Sequence, residues 1–329
     1  EFFALFAAVQ LIPGPSSTEL ALLLGYKRAG WRGLLVAGAC FIMPAALLML
    51  GLAALYEHFG SLEITQRLLR GVTPVVAGIV LWAVADLGRR VVRGADAFVV
   101  LLAVAVLAVF VNQPIALLAA GGIAIAAGRR VRKRGALAAA GAIDPRLLPT
   151  TAAAVAVPVS LLAVFATFLK IGAVAFGSGY VLLVFLRSEL VLNLHWLSER
   201  QVVDAVAISQ ATPGPVFTTA TFIGFLVAGV AGAAVATAAI FLPGFLLVPP
   251  LERLTRIVAT HPSLQDLLNG VNAASLGLML AVVVALGRES FTGIEPVVAA
   301  LVTLLVLLRF PLAAPLLVAA GAIAGAFLS

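Results

Sequence analysis

With one cysteine, Cys40, the chain cannot close a disulfide on itself or build a thiolate metal site. Its three histidines, His58, His195 and His261, are scattered, so no histidine cluster holds a metal either. Charge is scarcer still. Only 11% of the 329 residues are Asp, Glu, Lys or Arg, too few to solvate the surface of a soluble domain. Patterns of the G-x-G-x-x-G, P-loop and H-E-x-x-H type are missing, as are paired catalytic carboxylates. No catalytic residue, metal or cofactor is therefore assigned, and an enzyme is not expected.

What the chain has instead is apolar residue after apolar residue. It is 63% hydrophobic with a mean hydropathy of +1.18. That describes an all-α polytopic membrane protein with room for about ten spans of roughly 20 residues. The net charge of +7 would point to nucleic acid in a soluble protein. Here the basic residues sit in short segments between apolar runs, where the positive-inside rule accounts for them, so no nucleic-acid partner is expected.

Two tripeptides break this apolar background. Pro13-Gly14-Pro15 and Pro213-Gly214-Pro215 interrupt runs that would otherwise be membrane helices, and Gln10 and Gln210 precede them at equal distance. Each proline removes a backbone donor, and glycine adds backbone entropy. Hydrocarbon offers no water to the groups set free. After the first break, Ser16-Ser17-Thr18-Glu19 has the spacing of a capping box, with Ser16 as N-cap. A span follows at 33–56, kinked at Pro44, and another at 71–87. Segments 97–111 and 114–127 read as a tight helical pair. A basic run from Arg129 to Arg134 opens a linker to Pro149. The spacing predicts an extra span at 150–168, then a short broken one at 171–186 around Phe176-Gly177-Ser178-Gly179-Tyr180. A polar loop follows at 188–200, with Trp196 as an interfacial anchor. The second break and spans at 231–249, 270–286, 297–308 and 312–327 complete the chain.

The halves repeat. Ala29-Gly30, Gly33, Pro44, Gly71-Val72 and Gly78 recur 199 residues later as Ala228-Gly229, Gly232, Pro243, Gly270-Val271 and Gly277. In the first half, segments 26–32, 88–96 and 129–148 are basic. In the second, 226–232 is uncharged, and Arg288 is offset by Glu289 and Glu295. Loss of the basic bias at equivalent places is what an inverted repeat predicts. The units are 1–128, a first transmembrane repeat; 129–167, a basic cytoplasmic linker with the extra helix; and 168–329, a second, inverted repeat. Phe168–Arg200 has no first-half counterpart, so the first repeat is expected to be incomplete at its N-terminal side.

Broken helices facing one another across a pseudo-twofold axis would aim two positive helix ends at one ligand. That arrangement favours an oxyanion. The candidate site comprises Gln10, Pro13, Gly14, Pro15, Ser16, Ser17 and Thr18 in the first half. Gln210, Pro213, Gly214, Pro215, Thr218 and Thr219 are its second-half members, and Lys170, Gly177, Ser178 and Gly179 lie beside them. Simple kinks are the plainer reading of the tripeptides, and an interfacial cation the plainer reading of Lys170. Glu19 is either the capping-box carboxylate or a proton-coupling acid. Arg187 and Asp204 are expected at the interface, and Asp86 in a helix-end ion pair with Arg89 and Arg90.

Phe168-Leu169-Lys170-Ile171-Gly172, Phe176 to Gly179, Trp196-Leu197-Ser198-Glu199 and Gln210 to Pro215, in that order, resemble the signature of the chromate ion transporter (CHR) family, long-chain type. Gln10 to Pro15 and Gly25-Tyr26-Lys27-Arg28 resemble its first-half signature. Ser178 departs from a glycine common there. The resemblance implies a multi-pass carrier of the bacterial inner membrane with two oppositely oriented halves, exporting chromate and conferring resistance to it. Sulfate or another oxyanion remains the alternative substrate, and a non-transporting membrane scaffold the alternative function. The partners expected are the oxyanion and membrane lipid, with a homodimer left open.

Overall fold

The computed structural model describes residues 14–60, 62–92, 94–110, 113–133, 158–175, 181–290, 293–310 and 314–328, together with Val9. Among them are twelve α-helices and no strand. The first half carries α1 (Ser16–Phe59), α2 (Glu63–Val91), α3 (Ala95–Phe110) and α4 (Pro114–Lys133). α5 (Leu161–Val174), α6 (Leu182–Leu186), a π-helical stretch (Arg187–Asn193) and α7 (Glu199–Ala211) lead to the second break. Beyond it lie α8 (Thr219–Leu247), α9 (Leu251–Thr260), α10 (Pro262–Ser290), α11 (Ile294–Arg309) and α12 (Ala314–Leu328). Among the described residues, four segments are long and apolar enough to cross a membrane: Ser16–Phe59, Glu63–Arg89, Val216–Leu247 and Pro262–Ala285.

α1 is not a single rod. A straight helix of its 44 residues would run about 66 Å, more than twice the hydrocarbon thickness. Ala29 (φ −146°, ψ 28°) and Gly30 (φ 57°, ψ −141°) leave the helical region and turn the chain back. Only glycine takes the Gly30 conformation at low cost. The arms 16–28 and 31–59 then pack so tightly that a Cβ on Gly25 would meet the Gly33 carbonyl, and one on Gly33 the Gly25 carbonyl. α8 repeats the device at Ala228 (φ −147°, ψ 30°) and Gly229 (φ 61°, ψ −155°). Gly224 and Gly232 meet there, and Thr221 and Thr237 share a hydrogen bond of 2.7 Å between the arms.

The halves are interlocked. α2 packs against α11 and α12 of the other half, and α10 packs in the same way against α3 and α4. The crossings correspond closely. Gly78 faces the Ala300 carbonyl and Thr303, while Gly277 faces the Leu101 carbonyl and Val104. Gly71 meets Gly321 and Gly325, while Gly270 meets Gly121 and Gly122. In lipid, where apolar area gives little drive between helices, small residues at such crossings bring backbones close enough for dispersion to hold them. Arg129 adds an ion pair of 2.6 Å to Asp266, joining α4 to α10.

α1 and α8 pack on one another in opposite senses. Tyr56, far along the second arm of α1, has its ring 5.4 Å from that of Phe222, close to the α8 turn. Leu22, Leu23 and Leu34, close to the α1 turn, cluster with Val248 and Leu251 at the far end of α8. The two turns therefore lie at opposite ends of the pair.

Several elements differ from the sequence reading. Segment 26–32 is helical except at its two-residue turn, and 57–70 is mostly helix. α5 runs through Phe168 and Lys170 as one helix started by Ser160, whose Oγ accepts the Ala163 N–H at 3.1 Å, so position 168 is no element boundary. The expected polar loop at 188–200 begins as a buried π-helical stretch, with Ser188, Glu189 and Leu190 inside. α9 was unforeseen. Pro249-Pro250 stop α8, and a separate short helix presents Arg253 and Arg256 outward and Leu251 inward.

Candidate functional site

At the first break, Gly14 has φ +132°, a region closed to side-chain-bearing residues, and its N–H donates to the Ala175 carbonyl at 2.9 Å. Ala175 ends α5, so the break of one half is held by the other. Pro15, extended at φ −79° and ψ 111°, precedes the first turn of α1. Its carbonyl accepts the N–H groups of Thr18 (2.8 Å) and Glu19 (3.2 Å). The N–H groups of Ser16 and Ser17 have no acceptor among the described residues.

The capping box does not form. Pro15, not Ser16, is the N-cap residue, and no side chain caps the helix. Its fixed extended geometry moves the helix start one residue ahead of the serine that the spacing favoured. Glu19 is thereby free of backbone donors. It is 1% exposed, and both carboxyl oxygens lack a partner among the described residues. It occupies the space left by the missing side chain of Gly14, since a Cβ there would run into Oε1. A Cβ on Gly244 would lie 3.9 Å from Glu19 Cγ.

The second break has the same backbone, with Gly214 at φ +134° and Pro215 extended. A Cβ on Gly214 would press on the Ala45 methyl. Ala45 follows Pro44 and Gly244 follows Pro243. Each break thus abuts the residue behind the kink proline of the opposite half. The hydroxyls differ between the two. Thr218 Oγ1 donates to the Pro215 carbonyl at 2.8 Å and Thr219 Oγ1 to the Val216 carbonyl at 2.6 Å. Their protons are engaged locally, whereas Thr18 Oγ1 is buried without a partner. Gln210 Nε2, in the last turn of α7, is buried without an acceptor as well.

Four described residues carry buried polar side-chain atoms without a partner: Thr18, Glu19, Gln210 and Ser188. Three of them flank the two breaks. Groups of this kind are costly to leave unmade and recur where a ligand is to be held. Ser16 is half-buried, Ser17 exposed, Gly14, Pro15 and Pro215 buried, and Pro213 and Gly214 exposed. Gln10, Pro13, Gly177, Ser178 and Gly179 lie outside the described residues. Lys170 donates to Glu189 at 2.7 Å, so its charge is balanced in this conformation. Sequence reasoning missed Glu189 because it placed that residue in a loop, although the apolar residues on either side of it signalled burial.

Asp204 is buried within the protein. It is 3% exposed on α7 and accepts the Tyr56 hydroxyl at 2.8 Å, with Arg200 Nε 3.9 Å away. The bond ties α1 to α7 next to the second break. Arg187 pairs with Glu199 and is only partly buried.

The fold and these features define an all-α polytopic membrane protein with two matched, internally broken helical regions. The chain belongs to the chromate transporter family, whose family model matches residues 1–126 and 162–326, the second stretch beginning at the start of α5. The chain is 35% identical to a chromate transport protein of Cupriavidus metallidurans, over 97% of this chain and 81% of that one. It is 32% identical to a probable chromate transport protein of Synechococcus elongatus, over 96% and 82%. A chromate transport protein of Pseudomonas aeruginosa is 30% identical over 87% and 71%. No solved structure matches the chain.

Tyr56→Phe removes the short bond to Asp204 and leaves that carboxyl buried with only the distant Arg200. The expected cost is about 1–3 kcal/mol, read as a lowered melting temperature in detergent. An unchanged melting temperature would show that the bond contributes nothing.

Proposed function

We propose that the protein is a secondary carrier that moves a tetrahedral oxyanion, chromate, out of the cytoplasm across the bacterial inner membrane by alternating access. The observation that carries this reading is the set of unpartnered buried groups at the two breaks: the Thr18 hydroxyl, the Gln210 amide and the Glu19 carboxyl. The free N–H groups of Ser16 and Ser17 at a helix N-terminus add donors and a positive dipole end. Val216 and Phe217 start the second helical region in the same way. Such donors suit an oxyanion, and chromate is what the named relatives are described as transporting. Gln10, Pro13, Gly177, Ser178 and Gly179 complete the proposed site on the strength of the sequence pattern. Lys170 joins by exchanging Glu189 for the anion.

Glu19 gives the site a proton dependence. Ionised, it repels a dianion; protonated, it offers one more donor. Acids at membrane depth commonly serve this role. The membrane potential sets the direction. A dianion leaving a cytoplasm about 100 mV negative gains roughly 4.6 kcal/mol, whereas uptake must overcome that amount. Sulfate shares the charge and shape of chromate, and backbone donors discriminate weakly between them, so it is the natural competitor. The units 1–128 and 168–329 are read as oppositely oriented in the membrane. The opposed turns of α1 and α8 support that orientation.

Reconstitution in proteoliposomes tests the site. Gly14→Leu and Gly214→Leu should abolish chromate flux while membrane insertion and monodisperse elution persist; normal flux in both variants would defeat the assignment. Glu19→Gln should flatten the pH dependence of flux, and an unchanged pH profile would remove Glu19 from the coupling. Tags inserted at 26–32 and 226–232 should label from opposite sides of the membrane, and same-side labelling would reject the inversion.

A further inference from the structure

The α1 turn and α9 meet at one end of the molecule. Tyr26 and Leu34, on either side of the turn, share an apolar cluster with Leu251 and Leu254 of α9. The outer faces of both elements are basic. On α9, Arg253, Arg256, Ile257 and Thr260 are exposed at the spacing of a single helix face, opposite Leu251 and Leu254. At the turn, Lys27, Arg28, Trp31 and Arg32 are exposed. Trp31 stands edge-on to Tyr26, with ring centroids 6.1 Å apart, and is 55% exposed. Arg28, Arg32, Arg253 and Arg256 have no ion-pair partner among the described residues. Near Tyr56, at the other end, Arg67 and Arg187 are instead paired with Glu63 and Glu199.

The duplicated scaffold does not require this patch. Two hundred or 199 residues apart, the hairpin turns share their backbone, but Arg28, Trp31 and Arg32 correspond to Val227, Val230 and Ala231. Arg253 and Arg256 correspond to Ala54 and Glu57, the second a reversal of charge. α9 itself exists as a separate helix only because Pro249-Pro250 stop α8, whereas α1 runs on to Phe59. Segments 25–34 and 249–261 together hold five Lys and Arg residues against one acid, Glu252.

We infer that α9 and the α1 turn form a docking surface for the headgroup of an anionic phospholipid, held by Arg28, Arg32, Arg253 and Arg256 around the exposed Trp31 and Ile257. Charge complementarity selects the headgroup, because cations left unpaired by the protein take a phosphate as their partner. The apolar side chains select a lipid rather than a free anion. An exposed indole marks the level where headgroups meet acyl chains, and a short helix with one apolar and one basic face lies flat at that level. Orientation rules account for cations on one side of a membrane, but not for their gathering about an indole and an isoleucine on two elements that pack together. The bound lipid would tie α9 to the α1 hairpin from outside, as Leu251 and Tyr26 tie them from within. The inference holds whatever solute the protein carries.

Native mass spectrometry of the purified protein, equilibrated with equal amounts of phosphatidylglycerol and phosphatidylcholine, tests it. The unmodified protein should retain phosphatidylglycerol in preference. A cation near an anionic surface contributes roughly a fivefold preference. Arg253→Gln/Arg256→Gln and, separately, Arg28→Gln/Arg32→Gln should therefore each lower that preference by about tenfold or more. Arg67→Gln/Arg70→Gln, which removes as much charge near the start of α2, should leave it unchanged. Equal retention of the two lipids by the unmodified protein, or an unaltered preference in both patch variants, would overturn the proposal. Release of the lipid by excess inorganic phosphate would mark a site for free anions and overturn it too. All four arginines are exposed, and if one patch variant folds poorly the other decides.

Discussion

A backbone N–H buried away from water is costly to leave without an acceptor, and the first break shows how this protein meets that requirement. At each break two prolines around a glycine remove backbone donors and leave the neighbouring groups without helical partners. The first break is tolerated because Ala175, more than 160 positions along the chain, supplies the acceptor for Gly14. Such a break exists only when the rest of the molecule has folded around it. Each half is in that sense a structural ligand of the other.

The interlock has a second layer. Glycine–glycine and glycine–threonine crossings join α2 to α11 and α12, and α10 to α3 and α4, so neither half closes its own core. Separating them would uncover backbone rather than side chains. The polar tie between Tyr56 and Asp204 is not matched in the same way. Thr255 stands where the repeat would place a second tyrosine, so this bond belongs to one end of the molecule only. Near-symmetry in packing thus goes with asymmetry in polar groups. Glu19 follows the same rule, because the aligned region around Thr218 and Thr219 contains no acid.

Much of the backbone around the two breaks was legible in the residues themselves. Proline and glycine act locally, so the two tripeptides marked the breaks without any knowledge of the fold. The Ala-Gly pairs marked the hairpin turns, although a two-residue reversal looked like a loop because Lys27, Arg28 and Arg32 surround it. The capping box misled because a spacing rule competed with the extended geometry of Pro15, and the proline won. The π-helical stretch from Arg187 was hidden by its polar residues, whose charges are balanced by Lys170 and Glu199 on other helices. The burial of Asp204 could not be read from sequence for the same reason: its partner is 148 positions away.

Hydropathy, the duplicated Pro-Gly-Pro and the matching glycines were enough by themselves to establish a helical membrane protein built of two related halves. Each of those signals is short-range, being a property of consecutive side chains or of a constant offset. Which groups end up buried without partners was decided by the tertiary structure alone. That outcome depends on where Gly14, Glu19 and Gly244 come to lie relative to one another. A carboxylate is ordinary in sequence; burial beside glycines from both halves, with no hydrogen-bond partner among the described residues, is what sets Glu19 apart.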